Sequence, residues 1–214
     1  SDYIADFLAQ NKIAHVYVVQ GGAVAHLIDS VAKHPTLEYV CMQHEQASAM
    51  AADAQSRITG NLGAAMATSG PGATNLITGI CSAYYDSVPV IYVTGQVSTF
   101  RNKGNTGVRQ IGFQETEIVS MVKSITNYTV CISDPKRIRY ELEKAFYLAQ
   151  KGRPGPVLID IPDNTQRELI DPETLDSFIP PASTNNPVDN KQIDRCLKMV
   201  QSCKRPVIIF GAGI

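Results

Sequence analysis

Glu45 is the residue whose surroundings point most directly to chemistry. It follows a short β-rich run, residues 37–42, and opens a helical stretch. A glutamate in a first helical turn is by default a favourable partner for the helix dipole. The residues after it shift that reading, because positions 47–54 are almost all small or apolar. The helix should therefore be buried close to its start. A partly desolvated carboxyl group suits proton exchange near neutral pH. Two further segments carry residue types of interest. Ser69-Gly70-Pro71-Gly72-Ala73-Thr74-Asn75 ends a strand-like run and opens a helix, where free backbone N–H groups are available. Gly112-Phe113-Gln114-Glu115 closes a stretch after Gly95 that has no clear periodicity, and loops of that length in a compact domain are usually functional or mobile. Arg101, Lys103 and Arg109 make this loop basic, which suits an anionic substrate as well as a solvated charged surface.

Neither glycine motif is a nucleotide signature. No Gly-Lys-Ser/Thr follows residues 69–75, and the Gly-x-Gly-x-x-Gly spacing of dinucleotide folds is missing. The five cysteines form no Cys-x-x-Cys pair, and the four histidines do not cluster with them. They read as reduced, mostly buried thiols of a cytoplasmic protein, and no metal site is expected. A net charge of −1 argues against nucleic acid as the main partner. No apolar run is long enough for a membrane span.

The elements that must position these residues alternate between strand and helix. Strands are expected at 15–19, 37–42, 62–68, 89–94, 125–131 and 156–161. Helices should lie around Ile4, Phe7 and Leu8, around Val24, Leu27, Ile28 and Val31, and on a stripe of Ala47, Met50, Ala51, Ala54 and Ile58 that Gly60 ends. Two more are expected from Gly72 to about Ala83 and through Ile138, Leu142, Ala145 and Ala149. Repeated βα units with continuous apolar strands imply an α/β fold: a doubly wound, six-stranded parallel sheet with helices on both faces. Ligands of such sheets sit at the carboxyl ends of the strands, so the loops at 20–22, 43–45, 69–75 and 95–114 are the ones to watch. A Pro-rich linker is expected over 166–188. A helix and a strand at 206–210, followed by Gly211-Ala212-Gly213, should begin a second α/β domain over 189–214. The sequence thus reads as a piece of a longer protein.

Taken together, Gly21-Gly22-Ala23, His44-Glu45-Gln46, the 68–75 motif, Gly95-Gln96-Val97, Gly112-Phe113-Gln114-Glu115, Ser124-Ile125-Thr126 and Gly152-Arg153-Pro154-Gly155-Pro156-Val157 resemble the acetolactate synthase large subunit family of thiamine diphosphate enzymes. The resemblance implies that residues 1–165 form the domain that binds the cofactor's pyrimidine. It implies catalytic roles for Glu45, at the pyrimidine ring nitrogen, and Gln114, near the reacting carbon. Gly21, Gly22, Ala23, Pro71, Gly72 and Asn75 would surround the ring, and Phe113 and Gln96 would line the substrate pocket. It further implies thiamine diphosphate and Mg2+, the latter held by ligands outside this chain, and leaves FAD open for the central domain. Pyruvate or another 2-oxo acid would be the substrate, in branched-chain amino acid biosynthesis, with the site between subunits of a homodimer or homotetramer and a regulatory subunit as a further partner.

Some positions depart from the family pattern. Val19-Gln20 stands where Tyr-Pro is usual, Ser98 where proline is usual and Asn127 where lysine is common, and residues 100–112 are longer than is typical. These leave the Glu45 chemistry intact and keep other acceptors open, such as a keto-sugar nucleotide or sulfoacetaldehyde. A non-catalytic scaffold domain is the alternative from another class.

Overall fold

A computed structural model describes residues 1–182 and 189–211. Six strands form one sheet in the order β2-β1-β3-β4-β6-β5, and every neighbouring pair is parallel. They are β1 (His15–Val18), β2 (Glu38–Cys41), β3 (Gly63–Ala67), β4 (Val90–Gln96), β5 (Tyr128–Cys131) and β6 (Val157–Pro162). The helices between them are α1 (Asp2–Gln10), α2 (Ala25–Lys33), α3 (Glu45–Thr59), α4 (Pro71–Asn75), α5 (Ile77–Tyr85), α6 (Ile118–Val122), α7 (Ile138–Gln150) and α8 (Asp163–Gln166).

The period-two alternation of a strand divides the core. Ala64, Met66, Ile91, Val93, Val157 and Ile159 face a layer built from α1, α2 and α7. Ala65, Ala67, Val90, Tyr92 and Leu158 face a second layer built from α3, α5 and α6. Both faces of the central strands are therefore dry, which is why these strands are mostly apolar in sequence. The doubly wound α/β sheet expected from the alternation is the fold observed.

Several local expectations need correction. The buried face of α3 is not the stripe of Ala47, Met50, Ala51, Ala54 and Ile58. It consists of Glu45, Ser48, Ala49, Ala52, Asp53 and Ser56, while Ile58 is 85% exposed. The helix lies so close to its neighbours that only small side chains fit beneath it: a Cβ on Gly63 would come within 1.9 Å of the Ala52 carbonyl oxygen, and one on Gly79 within 2.3 Å of Ala49 Cβ. The cysteines are not mostly buried either. Cys41 and Cys131 are exposed because each ends an edge strand, Cys196 and Cys203 are exposed as well, and Cys81 is half-buried. The helix expected from Gly72 to Ala83 is interrupted at Leu76. Strand β5 starts only at Tyr128, because Lys123–Ile125 forms a 3-10 turn.

The chain divides into two compact units, Ser1–Phe178 and Ile179–Ile214. The first is closed by Ile170 and Leu175, which pack against the α1/α2/α7 core. In the second, Asp189 caps helix α9 (Asn190–Ser202), its side chain accepting from the Lys191 N–H at 3.0 Å. The strand expected at 206–210 is not formed, and its apolar residues are exposed, since among the described residues no strand pairs with it. Positions 183–188 of the expected linker, and Ala212 and Gly213, lie outside the described residues.

Candidate active site

The sheet order reverses between β1 and β3: from β1 the chain first adds β2 on one side, then returns to add β3 on the other. Such a switch opens a crevice at the strand carboxyl ends, where α/β sheets bind ligands. The loops leaving β1, β2, β3 and β4 all reach this end of the sheet.

Glu45 is the first residue of α3, four residues beyond Cys41 at the end of β2. His44 caps the helix, its Nδ1 accepting from the Gln46 N–H at 3.1 Å. The Glu45 side chain is buried, and Asn75 Nδ2 donates to its Oε2 at 2.9 Å. Asn75 ends the helix that Pro71 begins, and Gly72 in its first turn lies against both Thr68 and Glu45 Oε1. Glu45, Pro71, Gly72 and Asn75 are thus one cluster drawn from two strand ends.

A second group surrounds a cleft of about 320 Å³ lined by Gly22, Ala23, Thr68, Ser69, Gln96, Val97, Ser98, Arg101, Phe113, Gln114 and Asp163. Thr68 joins the two groups. Its Oγ1 accepts from the Ala23 N–H at 3.2 Å, and its methyl side faces Gly72. Gln114 adopts φ of +59°, and Gly70, at φ +63°, packs directly on it. A side chain on Gly70 would be strained by the backbone and would meet Gln114 Cβ at 2.7 Å. A non-glycine residue held at positive φ, as Gln114 is, is a recurrent feature of functional loops. Phe113 is 85% exposed beside it.

The long loop owes its form to Glu115, whose role sequence reasoning missed. Its buried carboxylate accepts from the N–H groups of Lys103 (2.7 Å), Ile111 (2.9 Å) and Gly112 (3.3 Å). Burial pushes its pKa up, but these three donors and the Lys103 charge outweigh burial and hold it below the usual carboxylate range. Lys103 itself pairs with Glu117 at 2.9 Å. Of the three basic residues that could serve an anion or simply a solvated surface, Arg101 alone lines the cleft.

Two other residues escaped the sequence. Gln166 Nε2 donates to the carbonyls of Ala23 (2.7 Å) and Ile161 (2.8 Å), clamping the first glycine loop to the end of β6. Asp160, 2% exposed in the middle of β6, accepts from Thr94 Oγ1 at 2.7 Å and from Gln96 Nε2 at 2.9 Å. A lone carboxylate inside a continuous apolar strand is costly unless partnered, and that was the signal available for it. Asn127, at a departure from the family pattern, has a structural role: its Nδ2 donates to the carbonyls of Leu148 and Arg153.

Burial raises the Asp160 pKa to about 7, against the hydrogen bonds from Thr94 and Gln96. Between about pH 4 and that value the folded protein binds a proton that the unfolded chain has released. Stability contributed at this position is therefore full below about pH 4 and falls as pH rises to about 7, with a limiting slope of about 1.4 kcal/mol per pH unit. Urea titrations between pH 4 and 8 should show this decline in the parent protein and its loss in Asp160→Asn.

A doubly wound domain with a buried carboxyl group at its switch crevice has the layout of a ligand-binding α/β domain. The model of the thiamine pyrophosphate enzyme N-terminal TPP binding domain matches residues 1–121, and the chain belongs to that family. It is 35% identical to the acetolactate synthase large subunit of Cyanidium caldarium, over 98% of this chain and 36% of that protein. It is 33% identical to the chloroplastic acetolactate synthase of Arabidopsis thaliana, over 100% of this chain and 31% of that one. For acetolactate synthase 2 of Zea mays the identity is 35%, over 100% and 33%. The chain spans about a third of the length of these relatives. No helix among the described residues is long and apolar enough to cross a membrane.

The residues present fit the pyrimidine end of thiamine diphosphate. Glu45 offers a buried carboxyl group with one oxygen engaged by Asn75 and the other on the side of the glycine turn. No three His, Cys, Asp or Glu side chains among the described residues group as a metal site.

Proposed function

We propose that this chain is the pyrimidine-side half-site of an acetolactate synthase-like carboligase, which decarboxylates pyruvate and transfers the two-carbon unit to a second 2-oxo acid. The observation that carries this reading is Glu45, buried at the switch crevice and oriented by Asn75. Bound thiamine diphosphate supplies the carbon nucleophile for such chemistry. Glu45 holds and exchanges a proton at the pyrimidine ring nitrogen, and the Asn75 amide keeps the carboxyl group in one orientation while it does so. The Gly21–Ala23 loop and Pro71-Gly72 shape the space around the ring. Gln114 presents its amide to the reacting carbon, Phe113 shields the substrate from water, and Gln96 shapes the pocket floor. Mg2+ at the diphosphate, and FAD in a central domain beginning near Asp189, belong to the same reading, as does a cytoplasmic setting consistent with five unpaired thiols.

The test is direct. Full-length protein supplied with thiamine diphosphate, Mg2+ and pyruvate should release CO2 and form acetolactate, followed by mass spectrometry. Failure to decarboxylate pyruvate would overturn the reading, and a product appearing only with another acceptor would reassign the second substrate.

A site completed by a second subunit also fits the apolar residues left open on this domain. Met50 and Ile58 on α3, Tyr85 at the end of α5, and Phe113 are all exposed. Obligate interfaces are large and apolar. The full-length protein should sediment as a dimer or larger species, and a strict monomer would contradict this expectation.

A further inference from the structure

Gln96 stands at the junction of β4 with the long loop, and its side chain ties down both ends of that loop. Its Oε1 accepts from the N–H of Val97, the first loop residue, at 2.9 Å. Its Nε2 donates to the carbonyl of Thr116, at the far end, at 2.8 Å. This can happen only if the amide is held in one orientation, and the remaining Nε2 hydrogen goes to Asp160 Oδ2 at 2.9 Å. Gln96 and Asp160 are both buried, and neither has another way to satisfy these groups from solvent.

We propose that Asp160 is a positioning residue that sets the geometry of the loop bearing Phe113 and Gln114, acting through the side chain of Gln96. For the identity of the substrate contacted by that loop, the proposal rests on the functional reading above. Asp160 lies a strand away from the cleft and does not line it. Its influence runs from Oδ2 to the Gln96 amide and from there to the two loop ends. Thr94 completes the device. While Asp160 is ionised, the Thr94 hydroxyl donates to Oδ1. When Asp160 carries a proton, that O–H can donate to Thr94 Oγ1 after the hydroxyl turns, and the other oxygen still accepts from Gln96. The brace thus survives either protonation state, so the function required of position 160 is an acceptor for Gln96 rather than a negative charge.

The distinction between acceptor and charge supplies the experiment. In the full-length protein, Asp160→Ala leaves Gln96 without its acceptor, whereas Asp160→Asn keeps an oxygen for Gln96 and offers an N–H to Thr94. Amide hydrogen exchange is read at Val97 and across the loop. KM for the 2-oxo acid is read alongside, together with C2-proton exchange of bound thiamine diphosphate, which depends on Glu45 and not on this loop. The alanine variant should lose about tenfold in protection at Val97, the equilibrium factor of one net hydrogen bond. It should raise KM by a similar factor and leave C2 exchange unchanged, and the asparagine variant should restore both losses. Asp160→Ser, too short to reach Gln96, replaces the alanine variant if that one does not fold. Unchanged Val97 protection in the alanine or serine variant overturns the proposal. So does an asparagine variant as impaired as alanine, which would make charge the operative property, or a parallel fall in C2 exchange, which would mean general loosening. A parent protein that neither binds thiamine diphosphate nor turns over a 2-oxo acid defeats the functional reading instead, and Val97 exchange then decides the role of Asp160 by itself.

Discussion

Glu45→Gln in the full-length protein is expected to fold normally and to lose about 10²–10⁴-fold in turnover, the usual worth of a positioned acid–base group. The fold should survive because glutamine has the same length and its amide oxygen can still accept from Asn75, as Glu45 Oε2 now does at 2.9 Å. The neighbouring cap is independent of the change, since His44 rather than Glu45 accepts from the Gln46 N–H. What glutamine cannot do is gain or lose a proton at the pyrimidine nitrogen. If Glu45 were only a favourable charge at the start of α3, the same substitution would cost about 0.3–1 kcal/mol of stability and hardly touch turnover. The two readings are separated by C2-proton exchange of bound thiamine diphosphate, followed by NMR in deuterated buffer. This measurement needs no knowledge of the second substrate. Exchange as fast in the glutamine variant as in the parent would remove Glu45 from the mechanism.

The burial of Glu45 was legible because a carboxylate at a strand end, followed by small residues, is an unusual pattern with a physical cost. The central strands were legible for a related reason. Burial on both faces leaves no room for alternation, so β3 and the opening runs of β4 (Val90 to Val93) and β6 (Val157 to Ile159) are apolar and stand out. The orientation of α3 was not legible. Its apolar residues, Met50 and Ile58, point away from the core, and its polar Ser48, Asp53 and Ser56 point into it. A hydrophobic stripe marks the dry side of a helix only when one side is dry. Here close glycine contacts with β3 and α5 take the small residues inward, and Arg57 offsets the buried Asp53 by bonding it at 2.5 Å and reaching Asp86 at 2.7 Å. The apolar run at 206–210 failed for a different reason. A strand is a pairing, and composition alone supplies no partner. The contacts of Gln166, Gln96 and Asp160 were not legible because they run across long separations. Gln166 reaches Ala23, 143 residues away, and Gln96 reaches Asp160, 64 residues away.

Gly95→Ala is the second large effect expected, and its sign is diagnostic. Gly95 lies inside β4, paired with Ile161 of β6. Inside a strand, glycine is normally the poorer residue, and alanine in its place should stabilise by roughly 0.5–1 kcal/mol. Here the added Cβ would lie 1.8 Å from the Ala23 carbonyl oxygen and 2.8 Å from the Val24 nitrogen. Both obstacles are backbone, and they cannot easily retreat. The Ala23 N–H is held by Thr68 Oγ1, its carbonyl oxygen accepts from Gln166 Nε2 at 2.7 Å, and the Val24 side chain is wholly buried. Either the first glycine loop leaves its seat or β4 moves away from β6. Overpacking of this kind costs typically 1–3 kcal/mol, so the urea midpoint should fall rather than rise. The same displacement would pull Gly22 and Ala23 out of the cleft wall that they share with Thr68 and Gln114. Thiamine diphosphate binding, followed by calorimetry, should therefore weaken along with stability. An alanine variant that is more stable than the parent, with cofactor affinity intact, would mean that the loop has another resting place and that its contact with β4 does not shape the site.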